Sequence, residues 1–204
     1  MLGEEYGRTG VGQRCWIIDP IDGTANFVRG VPVWATLIGL MADSAVVVGV
    51  ISAPALGRRW WGAQDGGAWT GRSLTKASAC RVSEVTRLED ASLSYSDLAS
   101  WERADRLDQF IKLARTVWRA RAYGDFWSHV LVAEGAVDIS AESEVSLWDL
   151  AAVQIIVQEA GGSFSDLAGN MTPDGGNVLC TNGQLHDDVL DMLAKRPDRA
   201  ARRQ

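Results

Sequence analysis

The sequence predicts an α+β fold of layered sheets with helices packed against them. Two patterns point there. Residues 31–69 run as short segments rich in Val, Ile and Trp broken by polar turns, and residues 91–195 alternate helical with strand periodicity. The first pattern reads as a mainly antiparallel sheet and the second as strands with helices between them, an order that favours stacked layers. A third observation sets the scale, since 204 residues of which 47% are hydrophobic can bury a substantial core. Three regions follow: residues 1–90 as an antiparallel half holding a metal site, 91–195 as an alternating α/β half, and 196–204 as a disordered basic tail.

Gly3-Glu4-Glu5 opens the chain ahead of a polar, glycine-rich link. Trp16-Ile17-Ile18 is the kind of apolar run a sheet buries, and Asp19-Pro20 is expected to end it, because proline donates no hydrogen bond to a ladder. Asp22-Gly23-Thr24 then adds a second carboxylate, a residue without Cβ and a hydroxyl. A helix starting near Thr24 would turn free amides and its dipole towards an anion. Val31–Met41 and Ala45–Ile51 read as a hairpin about Ala42-Asp43-Ser44. Arg58–Ala63 and Gly67–Trp69 form a second one about Asp65-Gly66, on which Trp60, Trp61 and Trp69 pack.

In the second half, Ala91–Ser96 reads as a strand and Trp101–Val117 as one amphipathic helix, with Leu107, Phe110, Ile111 and Ala114 on one face. Val117–Tyr123 returns as a strand. Gly124-Asp125 opens a helix through Ala133, and Val137–Ala141 is the next strand. Ser146 can cap a helix over Leu150–Ala160 that is apolar nearly all round, and so buried, with Asp149 in its first turn and Gly161-Gly162 at its end. Asn177–Thr181 makes a last strand, and Leu185–Leu193 a closing helix with His186 on its surface.

Asp19 and Asp22 lie close enough to repel unless a cation sits between them, and two carboxylates with the Ile21 carbonyl suit Mg²⁺. Asp-Pro and Asp-Gly are also common turn pairs, and Asp149 can serve its helix as a cap, so these residues alone leave both readings open. The net charge of −6 argues against nucleic acid, whose phosphates are held by clustered Lys and Arg. An anionic substrate would need a metal's help. Cys15, Cys80 and Cys180 lack metal-ligand spacing and read as reduced thiols of a cytoplasmic protein. No apolar run approaches the roughly 18 residues of a membrane span.

Asp19-Pro20-Ile21-Asp22-Gly23-Thr24, Trp148-Asp149-Leu150-Ala151-Ala152 and Glu159-Ala160-Gly161-Gly162, in this order and after Gly3-Glu4-Glu5, resemble the inositol monophosphatase superfamily of Mg²⁺-dependent phosphomonoesterases. The resemblance spans essentially the whole chain and implies a layered αβαβα sandwich. It implies that Glu4, Asp19, Asp22 and Asp149, with the Ile21 carbonyl, hold Mg²⁺, and that the Gly23 and Thr24 amides hold the phosphate. Thr24, Asp19 and Asp22 would be catalytic, with the Thr24 hydroxyl orienting a water for in-line attack on phosphorus. Within the family, Asn26–Trp34, Ser52–Leu56 with Arg58-Arg59-Trp60-Trp61, and Arg121–Phe126 are more similar to bacterial histidinol-phosphate phosphatases than to the inositol enzymes. Asp125 and Glu142 would then receive the substrate's ammonium and imidazole, beside the substrate contacts of Glu4, Ile21, Asp22, Gly23, Thr24 and Asp149.

The expected partner is therefore a small phosphate monoester, with neither nucleic acid nor membrane, and a homodimer is possible. Hydrolysis of inositol 1-phosphate is the near alternative. Family members carry helices ahead of Gly3-Glu4-Glu5, so an N-terminally truncated member is expected, and an inactive remnant acting as an interaction protein is the alternative of another class.

Overall fold

The Val- and Ile-rich segments pair as their alternation requires. The computed structural model describes residues 1–5, 7–8 and 13–194, and the tail expected over 196–204 lies outside them. Eight strands form the first sheet: β1 (Leu2–Gly3), β2 (Gly7–Arg8), β3 (Arg14–Asp22), β4 (Ala35–Ala42), β5 (Ala45–Ala53), β6 (Arg58–Ala63), β7 (Gly67–Ser73) and β8 (Lys76–Ala79). Their order is β2-β1-β3-β4-β5-β6-β7-β8, antiparallel throughout except for the β1–β3 pair. A short helix, α1 (Thr24–Arg29), follows β3.

The second half supplies β9 (Ser92–Ser94), α2 (Ala99–Arg103), α3 (Leu107–Thr116), β10 (Arg119–Arg121), α4 (Asp125–Ala133), β11 (Ile139–Glu142), α5 (Leu147–Glu159), β12 (Ser163–Ser165), β13 (Val178–Thr181) and α6 (His186–Leu193). Its sheet runs β10-β9-β11-β13-β12. Side chains alternate across it. Val178 and Cys180 join one core with α4, α5 and the first sheet, while Leu93, Ile139 and Leu179 join a second core with α3 and α6. The layers are thus sheet, helix pair, sheet, helices. Among the described residues no helix is long and apolar enough to cross a membrane.

Four expectations need correction. β3 does not stop at Asp19. It runs through Pro20 to Asp22, because its register against β4 shifts between Asp19 and Asp22 and proline's missing donor falls in that irregularity. There the Pro20 carbonyl instead accepts the Thr36 hydroxyl at 2.8 Å. The single helix over Trp101–Val117 is two, broken where Asp105 takes φ +56°. The break lets Trp101 and Phe110 stack at 4.5 Å inside one core. Val31–Trp34 lies outside β4, and β1, β2, β8 and β12 are too short to show a period. His186 is half-buried, its Nε2 2.9 Å from Ser165 Oγ and its Nδ1 3.1 Å from Thr181 Oγ1.

Two of the motif residues prove structural. Glu159 accepts the amides of Asp65 at 2.9 Å and Gly67 at 2.7 Å, which fastens the second hairpin to the end of α5. Arg58 pairs with Glu134 and lies over the Trp60 ring, whose Nε1 also donates to Glu134, joining β6 to the end of α4.

α5 is buried at every position from Leu150 to Val157, and glycine decides how closely it lies. Gly39 pairs with Gly49 and Gly49 with Gly62, so three adjacent strands present a row without side chains. A Cβ on Gly39 would stand 2.8 Å from Ala151 Cβ, and one on Gly49 would stand 2.5 Å from both the Ala152 carbonyl oxygen and Ile155 Cγ2. The helix occupies the space those side chains would fill. Gly49→Ala is therefore expected to lower stability by about 1–3 kcal/mol through overpacking, read as a lower Tm by circular dichroism; an unchanged Tm would contradict this packing.

Candidate active site

Three carboxylates meet where these elements converge. Asp19 comes from β3, Asp22 from its end, and Asp149 from the first turn of α5. One oxygen of each lies within 4.8 Å of the other two. A backbone amide orients each group: Asp19 Oδ1 accepts from Ile21 at 2.9 Å, Asp22 Oδ2 from Phe126 at 2.8 Å, and Asp149 Oδ2 from Ser146 at 2.8 Å. The last bond makes Asp149 a helix cap as well as a member of the cluster, so its two readings are compatible.

Burial dominates the electrostatics here. Asp19 is 2% exposed, and burial, followed by the nearby charges of Glu4 and Asp149, pushes its carboxyl up to about 8. Burial likewise raises Asp22 and Asp149 above the ordinary carboxylate range. Three hard oxygen donors so close together and so shielded from water suit a small divalent cation.

Every residue expected at the site from sequence lines one cavity of about 240 Å³: Glu4, Asp19, Ile21, Asp22, Gly23, Thr24, Asp125, Glu142 and Asp149. Glu4 is exposed and stands beside the trio, placed by its own amide, which donates to the Ile18 carbonyl at 3.3 Å. The Ile21 carbonyl accepts the Thr24 hydroxyl at 3.3 Å. Gly23 takes φ +78°, and a Cβ there would stand 2.8 Å from the Val33 oxygen, so this turn admits only glycine without strain. A wider hollow of about 850 Å³ beside α3 and α6 contains none of these residues.

The other wall belongs to α4 and the second sheet. Asp125 opens α4 at φ +48°, unusual for a residue with Cβ, and its Oδ2 accepts from Asn26 Nδ2 at 2.6 Å. The same Asn26 nitrogen donates to the Val33 carbonyl at 3.0 Å, so one side chain of α1 holds both Asp125 at the start of α4 and the segment before β4. Glu142 is 8% exposed, and burial pushes it up to about 8. His129 Nε2 stands 3.5 Å from Glu142 Oε1, yet burial holds this imidazole down at about 4, so the contact is polar rather than ionic at neutral pH. Ser96, Asp97, His129 and Glu144 also line the cavity and had no motif to mark them. The serine-rich edge at Ser92–Ser96 is the one sequence feature that could have drawn attention there.

The inositol monophosphatase family model matches residues 1–197. A histidinol-phosphatase of Streptomyces coelicolor is 59% identical over 95% of this chain and 74% of its own length. One of Mycobacterium tuberculosis is 56% identical over 95% and 75%. The solved structure of an inositol monophosphatase from Anabaena superposes with a TM-score of 0.85 at 31% identity, covering 98% of this chain and 80% of that one.

The raised carboxylates set a pH dependence. A group such as Asp19, which titrates at 3.8 when free and about 8 when folded, contributes stability below 3.8 that is lost as pH rises towards 8. An unfolded imidazole is still half protonated at 6.5, so His129 and His186, both lowered by burial, oppose this slope by half a proton each at most, less than the nearly whole protons that Asp19 and Glu142 each contribute. With chelator present, the Tm is therefore expected to fall as pH rises from 6.5 to 8, and millimolar Mg²⁺ to raise it and flatten the slope. A Tm in chelator that rises over that window, or one indifferent to the cation, would contradict the site.

Proposed function

The chain belongs to the inositol monophosphatase family, and from that membership we propose that its site hydrolyses L-histidinol phosphate to L-histidinol and phosphate with Mg²⁺ as the resident cation. The observation that carries this reading is the meeting of Asp19, Asp22 and Asp149 in one cavity with a second acidic wall of Asp125 and Glu142. The similarity to two histidinol-phosphatases above 55% identity supports the choice of substrate.

In this reading Glu4, Asp19, Asp22, Asp149 and the Ile21 carbonyl hold the cation. Once bound, it supplies the positive charge and Lewis acidity that phosphoryl transfer to water draws on. The chain's own residues do the rest. The Gly23 and Thr24 amides open α1 without intrahelical acceptors and receive phosphate oxygens. The Thr24 hydroxyl, its proton committed to the Ile21 carbonyl, offers lone pairs that orient the attacking water in line with the leaving group.

Substrate choice follows from charge. Histidinol phosphate is a phosphate monoester with an ammonium and an imidazole at its other end, and Asp125 and Glu142 present carboxyl groups to that end. A neutral polyol phosphate would leave both without a cationic partner, which disfavours it.

Two experiments test this. With Mg²⁺ supplied, kcat/KM for L-histidinol phosphate is expected to exceed that for inositol 1-phosphate by at least about 100-fold, the discrimination a buried, charge-assisted contact provides. A preference for the inositol ester would sink the substrate assignment. Separately, Asp19→Asn or Asp149→Asn is expected to lower kcat by at least about 100-fold while the circular dichroism spectrum stays that of the wild type. Near-normal turnover in either variant would refute the metal assignment.

A further inference from the structure

One hydroxyl connects the two acids of the substrate-reading wall. Ser96 Oγ lies 3.0 Å from the Asp125 amide nitrogen and 2.6 Å from Glu142 Oε1. The amide can only donate, so the serine oxygen accepts from it, and the hydroxyl proton stays free for Glu142 once that carboxyl is ionised opposite a cation. We propose that Ser96 is a positioning residue for substrate selection, whose hydroxyl locks the Asp125 backbone and the Glu142 carboxyl into one unit facing the cationic end of the substrate.

Four further observations support it. Asp125 sits at φ +48°, a conformation that persists only where its surroundings hold it. Its neighbours are held in the same way: the Gly124 amide donates to Ser128 Oγ at 3.0 Å and the Phe126 amide to Asp22 Oδ2 at 2.8 Å. Three successive amides at the start of α4 thus each find a different side chain, and the middle one depends on Ser96. Behind Glu142, His129 Nε2 stands 3.5 Å from the oxygen that Ser96 reaches, and its Nδ1 lies 3.0 Å from Ser140 Oγ, so that oxygen is approached from two sides. Ser96 lines the cavity along with both acids. Removing its hydroxyl leaves one donor and one acceptor without a partner on opposite sides of the same hole.

The proposal rests on the substrate reading above, and its test separates the two. The readout is the ratio of kcat/KM for L-histidinol phosphate to that for β-glycerophosphate, a monoester without a cation, measured on the full chain with Mg²⁺. Ser96→Ala is expected to lower this ratio by about 10- to 100-fold, the range for a lost hydrogen bond to a charged group, with the change carried by KM for L-histidinol phosphate rather than by kcat. Ser96→Thr, which keeps the hydroxyl, is expected to recover most of the ratio. Ser96→Cys keeps the volume but donates weakly, so it should behave like the alanine variant even if that one folds poorly. If Ser96 acts through Glu142, Ser96→Ala combined with Glu142→Gln loses less than the product of the two single losses. Equal losses on both substrates, an unchanged ratio, or independent effects in the double variant would overturn the role of Ser96 while leaving the substrate reading intact. A wild-type ratio showing no preference for the cationic ester would overturn both.

Discussion

Helix α5 can lie as closely as it does against the first sheet because Gly39 and Gly49 leave it room, and the candidate active site depends on that approach. Asp149 belongs to the first turn of the helix, while Asp19 and Asp22 belong to the strand two places along from Gly49's. Moving the helix outward by the width of a methyl group would carry Asp149 away from its two partners. A packing rule at the centre of the molecule thus sets a distance at its chemical edge. The same helix is apolar on all sides because it is covered on all sides, by the first sheet, by α4 and by the second sheet.

The cavity that results is an electrostatic liability in the isolated chain. Asp19, Asp22, Asp125, Glu142 and Asp149 are all pushed upward, burial being the largest cause for each. The fold tolerates them because fixed donors hold them in place. Amides of Ile21, Ser146 and Phe126 orient the trio, and Asn26 and Ser96 orient the opposite wall. Preorganisation of this kind costs stability while the acids are buried together, and it sets the oxygen geometry that a cation would need. Phe126 illustrates the economy of the arrangement, since its amide reaches Asp22 while its ring packs in the core near Trp60.

The two walls have different relations to the chain. The side that carries the acidic trio is built largely from contiguous residues, Asp19 to Thr24, with Glu4 and Asp149 brought to them. The opposite side is assembled from α1, the edge of β9, α4 and β11, which meet nowhere in sequence. Chemistry that every member of a family needs can be carried in a short motif. Recognition of a particular substrate is spread over elements that only folding brings together, so it leaves a fainter trace in any single segment.

The sequence by itself determined the sheet hairpins, the buried helix from its unbroken apolar run, and the acids with their carbonyl and glycine, because those signals are local: a period, a turn pair, a motif. It misplaced the end of β3, since a proline inside a bulge looks like a proline after a strand, and it merged α2 with α3, since an amphipathic pattern survives a break that keeps its face inward. It put His186 on the surface, although Ser165 and Thr181 cover it. Only the tertiary structure decided that Asp149 stands within 4.8 Å of the β3 acids, that the glycine row admits α5, and that Ser96 joins Asp125 to Glu142. Those are relations between residues tens of positions apart, and they arise from packing and hydrogen-bond satisfaction across layers, which no local pattern encodes.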